Sequence, residues 1–433
     1  MFRISIFFIQ LLAILTILTY IFSNPFTISL DIGNLKYSFS SNLLAGLIIV
    51  FLFIFFILIY VFFKSRLSLT KYFLKNKYKK IDKGYFHFVE AMIAVANKDN
   101  KSAIKSHKKM NYYLKDDPSL SLLLKSEVYK IEGNFQQLTQ VYESMLKSKK
   151  TQTLGYRGLM EQNLKNQDFH HAFLYGEKLF KLNPTIDKLY ETLIYIAAKT
   201  NNWNQMIIIS ENAYSNKIIN KQILNENKSI AFFEIAKIKF NSSSKDALSN
   251  ISKALELKKN FPPYLKFYFE LLISTNKIPL LKKMIIKYWS LYPSSILRTI
   301  ITDILVKNNL ENISFINKII KNNLDNEESK KLLIYFSIRN KDWETAKSNI
   351  TGLIGSSPTK EICLFMADIE LLDGNDKQKS DAWIMRSETA PPDNIWICKQ
   401  SNRVQENWTT LSNSGHFNSL VWTQPKMLNQ ILN

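Results

Sequence analysis

Glycine and proline are scarce, with 11 of each among 433 residues, about half of average usage. β-rich folds need turn residues about every 8–12 positions, and nucleotide-binding loops need clustered glycines, so both classes are disfavoured. Long helices joined by short connections are what remains. Two cysteines, Cys363 and Cys398, exclude a disulfide framework and a four-cysteine metal site. With only five histidines, metal chemistry is restricted further, and enzyme readings start at a disadvantage.

Acidic residues are also in deficit, 36 against 57 basic ones, for a formal charge of +21. Lysine far outnumbers arginine and accompanies abundant Asn, Ile and Phe, residues with AT-rich codons. Part of the charge therefore reflects genome composition. No basic face with recognition residues is evident, so nucleic acid is not an expected partner.

Long uncharged runs, by contrast, are present. Residues 4–22 follow Arg3 without a charge, and residues 43–63 do the same before Lys64 and Arg66. Each run, as a helix, can cross about 30 Å of hydrocarbon. Ile21-Phe22-Ser23-Asn24-Pro25 lacks a small-x-small cleavage site, so the first run reads as a span rather than a signal peptide. Residues 23–42 are net neutral, whereas residues 64–80 hold Lys64, Arg66, Lys71, Lys75, Lys77, Lys79 and Lys80 and no acid. Positive-inside asymmetry places that segment and both termini in the cytoplasm, with the basic cluster against the bilayer surface. A small β-hairpin is predicted for 27–31 and 35–40 around Gly33-Asn34.

After Ile81 the apolar residues recur at helical spacing in segments of 10–15 residues. The breaks between them share a form: a turn, an aromatic, then a small or apolar residue three further on. Phe135 with Leu138, Phe169 with Ala172, Trp203 with Met206 and Trp343 with Ala346 show it. Aligned turns fall at Lys98, Gly133, Gln167, Asn201, Ser242, Asn276, Asn309, Lys341 and Gly374, at intervals of 35, 34, 34, 41, 34, 33, 32 and 33. A 34-residue helix-turn-helix period is that of the tetratricopeptide repeat. Residues 153–186 resemble that repeat best, through Tyr156, Leu159, Asp168-Phe169, Ala172 and Leu179, with Pro184 ending the second helix. The small residue lets the two helices approach, and the aromatic is expected to plug the gap to the next repeat. Repeats after Tyr292 are degenerate.

Stacked hairpins of this kind line a groove with their first helices. Expected groove positions are Tyr85, Phe88, Met92 and Val95, then Leu120, Leu123, Glu127 and Lys130, then Leu154, Arg157, Glu161 and Leu164. No Lys/Asn/Arg carboxylate clamp is among them.

The pattern changes at Ala390-Pro391-Pro392-Asp393. The chain then reads Pro391, Pro392, Asp393, Trp396, Cys398 and later Gly415, Phe417, Leu420, Trp422, Pro425. These motifs, with two spans, a basic juxtamembrane helix and tetratricopeptide units before them, resemble the HemY family of inner-membrane proteins encoded in haem-biosynthesis operons. The tail also resembles a decayed rubredoxin-type knuckle, in which two Cys-x-x-Cys pairs hold a metal. The corresponding places here are Cys398 and Ser401, then Leu411 and Ser414. One thiolate, even with His416, does not complete a metal shell, so no metal is expected. Cys363 reads as a packed core thiol.

The expected organisation is all-α: a transmembrane hairpin with its basic helix over 1–80, a tetratricopeptide superhelix over 81–390, and a degenerate knuckle over 391–433. Catalytic signatures are missing. Gly155/Gly158 and Gly352/Gly355 do not form the dinucleotide-binding string that a flavin-dependent oxidase needs, and no nucleophile elbow, phosphate loop or zinc-protease motif occurs. His170-His171 read as surface residues. The resemblance implies a non-enzymatic scaffold, without cofactor, that collects partner proteins of late haem biosynthesis at a bacterial inner membrane. Two alternatives stand beside it: control of envelope lipopolysaccharide assembly through a membrane protease, and direct haem or porphyrin binding through His416, His87 or Cys398.

Overall fold

The computed structural model describes residues 2–33, 35–115, 118–355 and 358–425. The chain divides into two compact units, 1–141 and 142–433.

In the first unit, α1 (Phe2–Ser23) leads into an antiparallel hairpin of β1 (Thr27–Ile32) and β2 (Leu35–Ser40), in register from Thr27↔Ser40 to Ile32↔Leu35. The turn has Gly33 at φ 65°, where a side chain would be strained; its expected partner Asn34 lies outside the described residues. Buried Ser41 closes the hairpin: its amide donates to the Phe26 carbonyl at 2.9 Å, and its hydroxyl accepts the Phe26 amide at 3.0 Å. Ser40 then caps α2 (Ser41–Ala96), a 56-residue helix. By length and composition α2 is the one helix among the described residues that is apolar and long enough to cross a membrane. The apolar stretch described in α1, Leu12–Ser23, is shorter. α2 runs through residue 81 unbroken, so its last turns are also the first helix of the first hairpin, packing with α3 (Asn100–Tyr113) and α4 (Pro118–Glu132). Ala91, Met110, Leu114 and Leu124 form the core there.

α5 (Phe135–Met145) crosses the boundary between the units. In the second unit come the helix pairs α6 (Gln152–Lys165) and α7 (Phe169–Leu182), and α8 (Leu189–Lys199) and α9 (Trp203–Ser215). Next are α10 (Lys221–Lys239) with α11 (Ser244–Leu257), and α12 (Pro262–Ser274) with α13 (Ile278–Leu291). The degenerate region still pairs α14 (Ser295–Lys307) with α15 (Ile313–Ile320), whose second helix is only eight residues long. Then α16 (Glu327–Arg339) pairs with α17 (Trp343–Thr351), and α18 (Lys360–Leu372) with α19 (Lys377–Thr389). This is a tetratricopeptide-like array of helical hairpins.

The turns show why the period is so regular. Lys98, Gly133, Gln167, Asn201, Asn276, Asn309 and Lys341 all adopt left-handed φ between 52° and 69°. The following amide reaches back to a carbonyl five residues earlier, as in Asp99 N to Ala94 O at 2.8 Å and Asp168 N to Asn163 O at 2.9 Å. That closes the first helix. The same residue often caps the second helix: Asp99, Asp168 and Asp342 accept from the amides of Ser102, His171 and Thr345. Two expected turn positions differ. In the last hairpin the left-handed residue is Asn375, not Gly374, and at Ser242 no left-handed residue occurs. There α10 extends to 19 residues, which accounts for the 41-residue interval.

The small or apolar residues after the turns, Ala172, Met206 and Ala346, are fully buried, as their helix-packing role requires. The aromatics before them are not uniform plugs. Trp203 is buried and Phe169 meets Tyr195 of the next hairpin edge-on, but Phe135 is 57% exposed. Gly158 is needed for close approach: a Cβ there would meet the Tyr142 ring at 2.3 Å.

The all-α expectation is corrected at both ends of the chain. Besides the first hairpin, the tail forms a three-stranded sheet, with β3 (Ile395–Cys398) between β4 (Val404–Gln405) and β5 (Leu420–Thr423). In β3 buried Trp396 and Cys398 alternate with half-buried Ile395 and Ile397, the two-residue period of a strand. Residues 426–433 of the expected tail segment lie outside the described residues.

Candidate functional site

The tail docks on the first helices of the middle hairpins. Trp408 sits within 5.1–5.9 Å of the rings of Phe261, Phe233 and Tyr264, mostly edge-on, so Trp396, Trp408 and Leu420 join the main core of the second unit. Polar contacts fix the pose. The Thr410 hydroxyl donates to Glu234 at 2.5 Å, the Trp422 indole donates to Ser295 at 3.0 Å, and Lys266 donates to Asn407 at 3.4 Å. The three repeat-side partners, Glu234, Lys266 and Ser295, lie on α10, α12 and α14, the helices that line a groove in such an array. On α10, α12 and α14, therefore, that face is covered by the chain's own tail.

Within the tail, the knuckle-like turns persist. Asn402 and Gly415 take left-handed φ, the Cys398 amide donates to Arg403 O at 3.0 Å, and the Ser412 amide donates to His416 O at 2.9 Å. Of the four ligand-like places, Cys398, Ser401 and Ser414 converge, with Ser414 donating to Ser401 at 2.9 Å. Leu411 instead bridges Phe417 and packs on the repeats. The Cys398 sulfur lies 3.2 Å from the Ser419 hydroxyl and 3.5 Å from His416 Nδ1. Burial pushes the thiol up, but hydrogen bonds from Ser401, Ser419, the Ser401 amide and Ser412 outweigh it and hold the group at about 5. Hydroxyls thus occupy two of the three places where a thiolate is missing, Ser401 and Ser414. Among the described residues, no three His, Cys, Asp or Glu side chains are grouped to hold a metal ion. Cys363 is buried, and burial pushes its thiol up.

A buried ion network adjoins the tail, and sequence reasoning missed it. Arg298, 6% exposed, donates to Glu328 at 2.7 Å and to Glu361 at 2.6 Å. Lys331 contacts Glu327 at 2.6 Å and Glu328 at 3.7 Å. Asp393, from the Pro-Pro-Asp motif, faces both cations across a cavity of about 480 Å³. Burial pushes Glu361 and Asp393 up, against the pull of Arg298 and Lys331. A signal was available: only seven of the 57 basic residues are arginine, and Arg298 falls in an otherwise apolar helix face. A planar guanidinium presents several fixed N–H donors and so can give a short hydrogen bond to each of two carboxylates.

The expected groove residues fall in both units. In the first, Tyr85 is exposed, while Phe88 and Met92 pack beside the Ala91–Met110–Leu114–Leu124 core. Leu123 is half-buried, and Glu127 pairs with Lys130 on its own helix at 2.7 Å. In the second, Arg157 and Glu161 pair with each other at 2.8 Å on an exposed face of α6. Ala91, Met110, Leu114 and Leu124 thus draw Phe88 and Met92 inward, and Tyr85 stays free. Of the haem-ligand candidates, His87 contacts Glu90 at 2.8 Å and His416 contacts Cys398. His170 and His171 stack edge-on, and His171 contacts Asp168 at 2.7 Å. Lys64, Arg66, Lys71, Lys75, Lys77, Lys79 and Lys80 are all exposed on α2.

No protein-family model matches the chain, and no curated protein matches it. Solved structures similar to it include the TPR2AB domain:pHSP90 complex of yeast Sti1, at 11% identity over 70% of this chain and 98% of that one, TM-score 0.29. Yeast Tom70 is 14% identical over 73% of this chain and 76% of its own, TM-score 0.29. PilF of Pseudomonas aeruginosa is 12% identical over 70% and 99%, TM-score 0.25. The repeat architecture itself rests on the helix pairing and turns described above.

Proposed function

We propose that this chain is a non-enzymatic, membrane-anchored scaffold that binds partner proteins through its helical hairpins. One observation carries the reading: the apolar helix α2 continues without a break into the first hairpin of the array. Anchoring a binding array to a bilayer raises its effective concentration near membrane-bound partners without any catalysis. In this reading α1 and α2 are two spans of a bacterial inner membrane, with both termini in the cytoplasm. The tail motif and the order of segments, which resemble the HemY family, support partners from late haem biosynthesis. The tail covers α10, α12 and α14, so partners engage first-helix faces elsewhere, at Tyr85 or at Arg157 and Glu161.

Cross-linking and affinity capture from intact membranes test this reading. Haem-pathway enzymes are the expected partners. Recovery of only a membrane protease and lipid-synthesis enzymes would replace them with control of envelope lipid assembly, the reading that the persistent knuckle turns favour. A reporter fused after Asn433 that works only in the periplasm would overturn the orientation.

A further inference from the structure

Between its apolar run and the first hairpin, α2 buries no side chain among the described residues. Every side chain described from Lys64 to Lys80 is exposed except Asn76, which is half-buried. Its surface is nonetheless patterned. Phe63, Leu67, Thr70, Leu74 and Ile81 follow one another in steps of three and four residues, with Lys77 completing the series. That is the seam of a two-helix coil. Phe63, Leu67 and Leu74 are between 52 and 62% exposed, as is Tyr78 beside them. At its far end, Ile81 on the same stripe packs against the Ala91–Met110–Leu114–Leu124 core. The seam is therefore the uncovered continuation of a face that other helices already use.

The residues that flank a seam choose the partner. Here the six flanking positions are Lys64, Arg66, Lys71, Phe73, Tyr78 and Lys80, four basic and none acidic. A parallel second copy would set Arg66 against Lys71 and Lys77 against Lys77, which disfavours self-pairing. The bilayer surface cannot satisfy the whole segment either. α2 contains no proline, and no glycine lies between Gly46 and Gly84, so nothing supplies a kink. At 1.5 Å per residue, Leu74 stands about 15 Å and Ile81 about 26 Å beyond Lys64. Attraction to anionic head groups fades within roughly 10 Å, so it reaches Lys64, Arg66 and Lys71 but not the cations from Lys75 onward.

We propose that the seam from Phe63 to Ile81 docks an acidic amphipathic helix that leaves the same membrane alongside α2, its Asp or Glu residues facing Lys64, Arg66, Lys71 and Lys80. The proposal rests on α2 spanning the membrane, and that premise has its own check: carbonate washing that strips the chain from membranes removes the premise, not the seam.

The test uses the full chain in zwitterionic nanodiscs, with a photo-crosslinking amino acid at position 70 in the seam or position 72 on the opposite face. The probe is a synthetic single-span peptide continued by heptads with Leu in the seam and Glu on the flanks. An otherwise identical peptide with Lys on the flanks is the control. Adducts to the Glu peptide from position 70 and not 72, reduced at least tenfold with the Lys peptide, are expected. The double variant Arg66→Glu, Lys71→Glu keeps the helix and should reverse the preference. Equal adducts with both peptides, or adducts with neither, overturn the proposal. Adducts to lipid that grow with anionic lipid assign the segment to the bilayer surface instead, and adducts to a second copy assign it to self-association; either result overturns it.

Discussion

The indole nitrogen of Trp422 donates to the hydroxyl of Ser295 across 127 residues of chain, at 3.0 Å. The last strand is thereby tied to the first turn of α14, and the tail becomes part of the array that it follows in sequence. Its energetics belong to the second unit as a whole.

Trp408 is the anchor of that contact. Replacing it with Ala removes an indole packed against Phe233, Phe261 and Tyr264 and should cost about 3–5 kcal/mol. Urea denaturation of the full chain in detergent measures this. Protease cleavage within residues 391–425 should accelerate in parallel, since the sheet loses its seat.

Breaking the buried ion network should be worse than removing it. Arg298→Met leaves Glu328 and Glu361 without their guanidinium and should cost about 3–5 kcal/mol. Adding Glu328→Gln and Glu361→Gln neutralises both carboxylates and should recover much of that loss. A double-mutant cycle on thermal unfolding reads the coupling.

Cys398 should ionise far below an ordinary thiol. In a Cys363→Ser background, ultraviolet thiolate absorbance should titrate near pH 5. The folded value lies below the unfolded one, so the ionised thiol stabilises the fold above the unfolded value. That contribution shrinks as pH falls from there towards about 5. Ser419→Ala should move the titration upward, because it removes one of the hydrogen bonds that hold the thiol down.

Left-handed turns held by side-chain-bearing residues store some strain. Lys341→Gly, at φ 59°, should therefore stabilise the second unit by about 0.5–1 kcal/mol, seen as a rise in unfolding midpoint. Gly158→Val acts in the opposite sense: its side chain meets the Tyr142 ring and should cost about 1–3 kcal/mol.

Local features were readable in the sequence, and distant pairings were not. The turns at Lys98, Gln167 and Lys341 could be aligned because a left-handed residue followed by a capping aspartate is a short-range signal. Spacing also located the hairpin of β1 and β2, and the small residues at Ala172 and Ala346. By contrast, Thr410 meets Glu234 across 176 residues, and nothing in either neighbourhood announces the other. Arg298 and Asp393 each carry a clue, rarity in one case and a motif in the other, but only the fold brings them together. Phe135, matched to Trp203 by position, is exposed because the environment of a turn, not its residue type, decides burial.

The unbroken course of α2 makes it an axle for the first hairpin. A helix with no interruption from residue 41 to residue 96 transmits rotation, so the azimuth of the first hairpin is set by how the apolar run is seated. One residue inserted between Lys64 and Lys80 would turn everything beyond it in the first unit by about 100° and lift it by about 1.5 Å. Such insertions change the heading of the first hairpin relative to the apolar run of α2 while leaving the packing within that hairpin untouched.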